Sequence, residues 1–400
     1  MTLLLIVYRS LRQHALSSLV TATSIALAAG LLMTVWVVKA QTRQAFADTT
    51  SGFDAVLGAR GSKLQLVLNA LFHLESSPGN IAAKDFEAIR RHPAIKTAIP
   101  IAVGDNHRGW RIVGTLPEMF GVDLGGERTL AVEPGGRLFA PEAREAVMGS
   151  VVAERLGWEI GTTFQPYHGV VFNPDSVHDE QYTVVGRLRP TNTPADRVIW
   201  IPLGGVQTMS GHNPQTATDL SAVLLQFRAP TAGMMLDSQI NRPGGHLTLA
   251  VPVGAVVADL FNRLGWGERV LGLIAYLIAV VAAASVLASL HASMHARRRD
   301  VAILRALGAR RRTVFGAIVA EAAAIGALGA GGGFVVYALL LNLITSVLRA
   351  QTGVVLEVAA WNPVLAWAPL GLIVLAAISG LVPAWQAYRT PVADHLTPQS

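Results

Sequence analysis

Four long apolar stretches constrain this chain more than any other feature. Backbone surrounded by hydrocarbon must satisfy its own hydrogen bonds, which restricts such stretches to helices or closed barrels. Leu16–Val38 has no charge over 23 residues and Val270–Leu290 none over 21. Val314–Val347 carries a single carboxylate, Glu321, and Trp361–Tyr388 is uncharged but holds Pro363, Pro369 and Pro383. A helical span needs about 20 apolar residues, so each run is long enough. Of the 400 residues 52% are hydrophobic and only 14% charged, well below the quarter or so that is ordinary for a soluble domain. The sequence therefore reads as a four-span membrane protein.

Between the second and third runs lies His291–Val314, with Arg297, Arg298, Arg299, Arg305, Arg310, Arg311 and Arg312 against one acid, Asp300. Lys and Arg resist translocation, so this loop is expected on the cytoplasmic side. Four spans then put both termini inside and 41–265 outside, in agreement with Arg9, Arg12 and Arg389 near the ends. Val301, Leu304, Ala306 and Leu307 form a small apolar stripe at helical spacing, interrupted by Arg305, and Gly308 stands where glycine commonly ends a helix. A half-apolar helix at a cytoplasmic face has a surface to dock against. The first run is longer than the apolar core of a signal peptide, about 7–15 residues, so an uncleaved anchor is expected despite the small residues flanking Lys39. Its Ser17, Ser18, Thr21, Thr23 and Ser24 suit packing against other helices.

The expected organisation is an N-terminal segment and first helix over 1–40, a large extracytoplasmic domain over 41–265, and a second membrane part over 266–400. The last would hold helices at about 270–292, 314–346 and 363–388 with the cytoplasmic loop 293–313. The middle region must have its own core, being too long for a loop. Ile81–Arg91 has helical apolar spacing and stops before Pro93; Gln181–Leu188, Val198–Leu203 and Ala222–Phe227 read as strands bounded by turn residues. Val147–Leu156 reads as strand or helix running into a Gly157–Gly161 turn. The fold class is thus membrane α-helical, with a large α+β domain inserted between helices 1 and 2 and an inner lobe about 130–205.

Catalytic signatures are missing from the sequence. There is no cysteine, hence no disulfide framework or thiolate chemistry. No G-x-x-x-x-G-K-[ST] occurs, and Gly58–Lys63 has the wrong spacing for a phosphate cradle. The region 41–265 has a net charge of −2 and the remainder +8, the reverse of what a nucleic-acid-binding domain needs; the surplus suits anionic lipid headgroups. Glu321 lies about 10 Å into its helix, where a carboxylate is either a functional relay or paired near the interface. Gly329–Gly333 reads as a close helix-packing surface. Seven of eleven histidines fall in 41–265. Among them His178-Asp179-Glu180 groups metal-ligand residue types without the spacing of a closed zinc motif. Asp196 and Arg197 are expected to pair across a turn.

Three passages carry a family resemblance. Arg297-Arg-Arg-Asp-Val-Ala-Ile-Leu-Arg-Ala-Leu-Gly-Ala309 resembles the loop before the third span of FtsX-like/MacB-like ABC transporter permeases. Gly380–Arg389 with Pro391-Val392 is similar to that family's C-terminal end, and Gly149–Gly157 with Gly161 to its periplasmic domain. The resemblance implies a permease subunit that binds no cofactor itself and relies on ATP/Mg in a separate cytoplasmic ATPase. It also implies a homodimer or permease pair, in the bacterial inner membrane among its lipids, with a periplasmic binding or adaptor protein as a further partner and no nucleic acid. Motion would pass by mechanotransmission through a coupling helix, with Arg299, Asp300, Leu304, Arg305, Leu307 and Gly308 facing the ATPase. Cargo is expected to be a lipid, lipoprotein, peptide or metal-linked species. Two alternatives are a non-transporting regulator of a cell-wall hydrolase and a subunit of a zinc-type metal uptake or export system.

Overall fold

A computed structural model describes residues 3–50, 52–124, 128–169, 173–210, 215–296 and 309–389. In chain order the elements begin with α1 (Leu3–Gln13), α2 (Ala15–Thr50), β1 (Ala55–Ala59), α3 (Lys63–Ala70), α4 (Ala83–Arg90), β2 (Ile95–His107) and β3 (Trp110–Thr115). They continue with β4 (Glu145–Met148), α5 (Ser150–Leu156), β5 (Thr163–Phe164), β6 (Tyr167–His168), β7 (Tyr182–Arg187), β8 (Val198–Pro202) and α6 (Leu203–Gln207). The rest are β9 (Ala222–Phe227), α7 (Ala232–Ile240), β10 (Leu247–Ala250), α8 (Val253–Ala296), α9 (Arg311–Thr352), α10 (Val364–Ser379) and α11 (Leu381–Arg389). Two compact units emerge: one of Met1–Gln41, Gly265–Ile344 and Leu356–Ser400, the other of Thr42–Leu264 with Thr345–Val355.

Among the described residues four stretches of helix are long and apolar enough to cross a membrane: Ala15–Thr50, Gly265–Ala292, Arg311–Thr352 and Val364–Gln386. One side of these helices remains bare, with Leu271, Leu277 and Val281 of α8 and Leu328, Val335 and Leu339 of α9 all exposed. Such faces are stable only against lipid or another membrane helix. Ahead of the first span the chain forms a separate helix, α1, which buries Val7 and Ser10. The arginines of this helix marked only a flank in the sequence.

The span α9 buries one stripe, running through Val314, Ile318, Glu321, Ile325, Gly329, Gly333 and Tyr337. Glycine makes that stripe nearly flat. A Cβ at Gly329 would stand 2.6 Å from the Ile25 Cβ and 2.7 Å from the Ala22 carbonyl oxygen. One at Gly333 would stand 2.5 Å from the Ala29 Cβ. The backbones of α2 and α9 therefore approach closely, as helices packing through small residues do. On the same helix Gly326 faces Ala376 and Ile373 of α10. Of the polar residues in the first half of α2, Thr21 is buried while Ser17 and Thr23 are exposed. Thr34 further along is buried too, and the Thr21 and Thr34 hydroxyls donate to the Ser17 and Gly30 carbonyls within the helix.

The other unit is built on a ten-stranded mixed sheet in the order β10-β1-β9-β2-β3-β8-β4-β7-β5, with the short β6 paired to β2. Most neighbours are antiparallel; β3–β8 and β4–β7 are parallel. The strand β8 is buried throughout, as the continuous apolar run Val198–Pro202 requires of a strand covered on both faces. Trp200 is its anchor: the side chain is fully buried, its Nε1–H donates to the Ala195 carbonyl at 3.2 Å, and Phe120 meets it edge-on. Beside Trp200 stands His73, at a left-handed φ of 54°. Its Nδ1 is sealed from solvent with no hydrogen-bond partner among the described residues. Burial, reinforced by the charges of Arg111 and Arg197, pushes the His73 pKa down to about 3.

Two predictions follow from packing and burial. Gly329→Val should lower the thermal stability of the detergent-solubilised protein by an amount typical of overpacking, about 1–3 kcal/mol. Gly331→Ala, with nothing within 4 Å of the added Cβ, should not lower it, since alanine is the better helix former. His73 gives a pH dependence of known sign. Its folded pKa lies below the ordinary value, so the unfolded chain takes up a proton first and stability is lost as pH falls below about 6.5. The slope is roughly 1.4 kcal/mol per pH unit. In thermal melts from pH 7.5 to 5, His73→Asn, which tolerates the left-handed backbone, should flatten that slope.

Candidate functional site

Two constellations of the sheet-bearing unit carry functional geometry, and the first is a joint. The C-terminal end of α9 and the residues after it, 345–355, belong to this unit. Arg349 Nη2 lies 2.6 Å from Glu154 Oε2 on α5. The Arg197 guanidinium donates to the Gln351 carbonyl and covers the Trp110 ring at 5.4 Å. Gly353 has φ +79° and packs so tightly that a Cβ would stand 2.6 Å from the Thr193 carbonyl oxygen. Glycine suits both the backbone conformation and the close approach.

What 345–355 grips is itself a compact wedge. Gly149, at the N-cap of α5, comes so near the Pro194–Arg197 turn that a Cβ would lie 2.3 Å from the Asp196 carbonyl oxygen. Asp196 is buried and accepts from the Thr191 and Asn192 backbone N–H groups and the Thr191 hydroxyl, at 2.8–3.1 Å. Burial raises its pKa, partly offset by those donors. Asp196 and Arg197 thus do not pair with each other: the acid closes its own turn, and the arginine reaches 345–355. The sequence mark at Gly149–Gly157 thus meets the Pro194–Arg197 turn in space.

The second constellation centres on Asp105. It sits in the irregular part of β2, where the register against β3 shifts between Val103 and Asn106; bulges of this kind re-aim side chains. His168 is its direct cross-strand partner in β6, and His168 Nδ1 lies 2.8 Å from Asp105 Oδ1. His178 follows the Tyr167–Val177 bridge, with its backbone N–H on the Pro166 carbonyl, and its Nε2 lies 3.1 Å from the same Oδ1. The hydrogen bond that His178 can donate to Asp105 raises its pKa against the opposing effect of burial.

Of the three neighbours singled out in sequence, the structure places only His178 in this cluster. Glu180 stands behind it, accepting from the Ser210 N–H at 3.0 Å and the Ser210 hydroxyl at 2.9 Å. Burial raises its carboxyl pKa, but the Ser210 donors outweigh this and hold it below the ordinary value. Asp179 donates its backbone N–H to the Ser210 hydroxyl at 3.2 Å. Asp105 and His168 were not singled out in sequence, since only strand pairing joins them to His178. In the membrane unit Glu321 is buried on the packed stripe of α9. Arg299, Asp300, Leu304, Arg305, Leu307 and Gly308 lie outside the described residues.

Residues 17–240 match the model of the MacB-like periplasmic core domain, and 272–392 that of the FtsX-like permease C-terminal region. The chain belongs to the FtsX-like/MacB-like family of ABC permeases. No curated protein matches it. Among solved structures it is similar to the periplasmic region of MacB from Actinobacillus actinomycetemcomitans, at 10% identity over 54% of this chain and 94% of that one, with a TM-score of 0.35. It is also similar to the extracellular domain of the noncanonic ABC-type transporter YknZ from Gram-positive bacteria, at 16% identity over 49% of this chain and 99% of that one, with a TM-score of 0.29. As a member of this permease family the chain is a multi-pass membrane protein, a transmembrane component of an ABC transporter.

The joint makes a direct prediction for this permease. Gly353→Val should speed trypsin cleavage after Arg349 in the folded protein by roughly 5- to 150-fold, as about 1–3 kcal/mol of backbone strain would give. Arg349→Lys and Glu154→Gln should change thermal stability little, because a half-exposed ion pair contributes at most about 1 kcal/mol.

Proposed function

We propose that this chain couples a separate cytoplasmic ATPase to motion of its own extracytoplasmic domain. The observation that carries this reading is the path of α9. It is one helix of 42 residues, about 63 Å long at 1.5 Å per residue, twice the roughly 30 Å of a bilayer core. Its N-terminal end follows the arginine-rich loop, and its C-terminal end is fastened by Arg349, Gln351 and Gly353. A hydrogen-bonded helix transmits axial displacement with little loss, so a push at the loop would arrive at α5 and the Pro194–Arg197 turn.

In this reading the loop 293–313 is cytoplasmic, both termini are cytoplasmic, and residues 297–308 form the coupling helix. Leu304 and Leu307 would seat in an apolar groove of the ATPase, each contributing roughly 1.5–3 kcal/mol if fully buried. Arg299 and Arg305 would set register and encounter rate against acidic groups. The bare faces of the spans fit a second permease copy. The lining of the membrane unit by glycine and alanine leaves little room for a wide pore, which favours cargo taken from the extracytoplasmic side: a lipid, lipoprotein, peptide or metal-linked species.

The deciding test is co-purification. Leu304→Asp with Leu307→Asp should abolish recovery of the ATPase while membrane insertion stays normal. Undiminished recovery of the ATPase would remove the coupling assignment.

A further inference from the structure

Asp105 Oδ1, His168 Nδ1 and His178 Nε2 lie within 4.8 Å of one another, although 73 residues separate the first from the last. The Asp105 and His178 side chains are almost fully buried, while His168 is 44% exposed. The two imidazole rings are 4.4 Å apart, centre to centre, at 71°. Burying a carboxylate between two histidines is costly unless hydrogen bonds or a positive charge compensate it.

The proton inventory narrows what that charge is. His178 Nδ1 is 2.7 Å from the Ser210 carbonyl oxygen, which only accepts, so Nδ1 carries the proton. The other nitrogen, Nε2, then points at Asp105 as a bare lone pair in the neutral ring. A lone pair against a carboxylate oxygen at 3.1 Å is repulsive unless a cation is shared between them. A proton on His178 supplies one, with His168 neutral and donating its Nδ1–H to the same oxygen at 2.8 Å; a shared divalent ion is the alternative. A metal ion takes all three donors at once and displaces protons as it binds.

The surroundings match a metal site as well. An imidazole that binds metal through one nitrogen characteristically donates its other N–H to a backbone carbonyl or carboxylate, which fixes ring and tautomer. His178 does so to Ser210, and Ser210 is held in turn by Glu180 through two hydrogen bonds. Tetrahedral donors 2.0–2.2 Å from zinc are roughly 3.3–3.6 Å apart. The separations of 2.8 and 3.1 Å from Asp105 need to open by roughly 0.2–0.8 Å to reach that spacing. On its other side the cluster faces a cavity of about 300 Å³, lined by Asp105 and His168 together with Asn80, Thr216 and Asp219. A fourth position is open to water or to an exchanging ligand.

We propose that Asp105, His168 and His178 form a reversible binding site for a zinc-type divalent transition metal. Two imidazoles and one carboxylate favour a borderline cation over calcium or magnesium, which take oxygen ligands, and the lack of thiolates disfavours copper(I). Three protein ligands and an open side make the ion exchangeable rather than structural. Occupancy would join β2, β6 and the segment at 178 where the register of β2 shifts. This inference does not depend on the ATPase coupling and is tested without the ATPase.

The test is Co2+ titration of the full-length chain in detergent, stripped with EDTA and followed by visible absorption and equilibrium dialysis. Wild type is expected to bind one tight equivalent with the spectrum of a low-coordinate N/O site, released by competing Zn2+. His168→Ala, whose exposed side chain can be removed without a cavity, and His178→Gln should each weaken that equivalent by at least about tenfold. His246→Ala, which removes an exposed histidine paired only with Asp85 in the surface ion pairs, should leave it intact. Circular dichroism and gel filtration report folding, and His168→Ala decides the matter if His178→Gln proves unstable. No tight equivalent in wild type, or binding unchanged in His168→Ala, would overturn the site.

Discussion

The close approach of α9 to α2 is the constraint on which the membrane unit depends. Where Gly329 and Gly333 face Ile25, Ala29 and the Ala22 carbonyl, no side chain intervenes. Lipid offers no hydrophobic gain for bringing helices together, so contact area and fit must supply the association energy. A flat glycine stripe maximises both. It also explains how α9 buries Glu321 on the same stripe while exposing Leu328, Val335 and Leu339 on the other side. A helix packed this tightly over its middle turns has little room to bend there.

That rigidity gives meaning to what α9 reaches at its far end. The Gly149 wedge, the Pro194–Arg197 turn and Gly353 are joined by contacts in which a single methyl group would collide with backbone oxygen. Interfaces of this kind shift between discrete arrangements rather than deforming continuously. The Asp105 cluster lies elsewhere on the same sheet, where β2 loses its regular register. The contacts of 345–355 with α5 and the Pro194–Arg197 turn, and the Asp105 cluster, thus occupy different parts of the sheet-bearing unit.

Much of the architecture was legible because periodicity and charge speak directly. The four apolar runs became spans, the strands at 182–187, 198–202 and 222–227 stood where β-branched runs are bounded by turns, and Gly329–Gly333 became a packing surface. The candidate sites were less legible, for physical reasons. His168 lies in a two-residue strand, too short to show any alternation, and its partner Asp105 is placed by a register shift that no local pattern marks. Arg197 beside Asp196 looked like an ion pair because adjacency is visible in sequence and burial is not. Asp196 is consumed by its own turn, which leaves Arg197 for a carbonyl 154 residues away. The helix α1 escaped notice because its arginines read equally well as the flank of a span.

The most direct measurement is amide hydrogen exchange on the permease in complex with its ATPase, with and without a non-hydrolysable ATP analogue. Transmission through α9 predicts that protection changes together in 345–355, in α5 and in 191–197, while the distant strands β1 and β10 stay constant. Nucleotide-dependent changes confined to the cytoplasmic side, with 345–355 and α5 unaltered, would contradict the claim that α9 carries the motion.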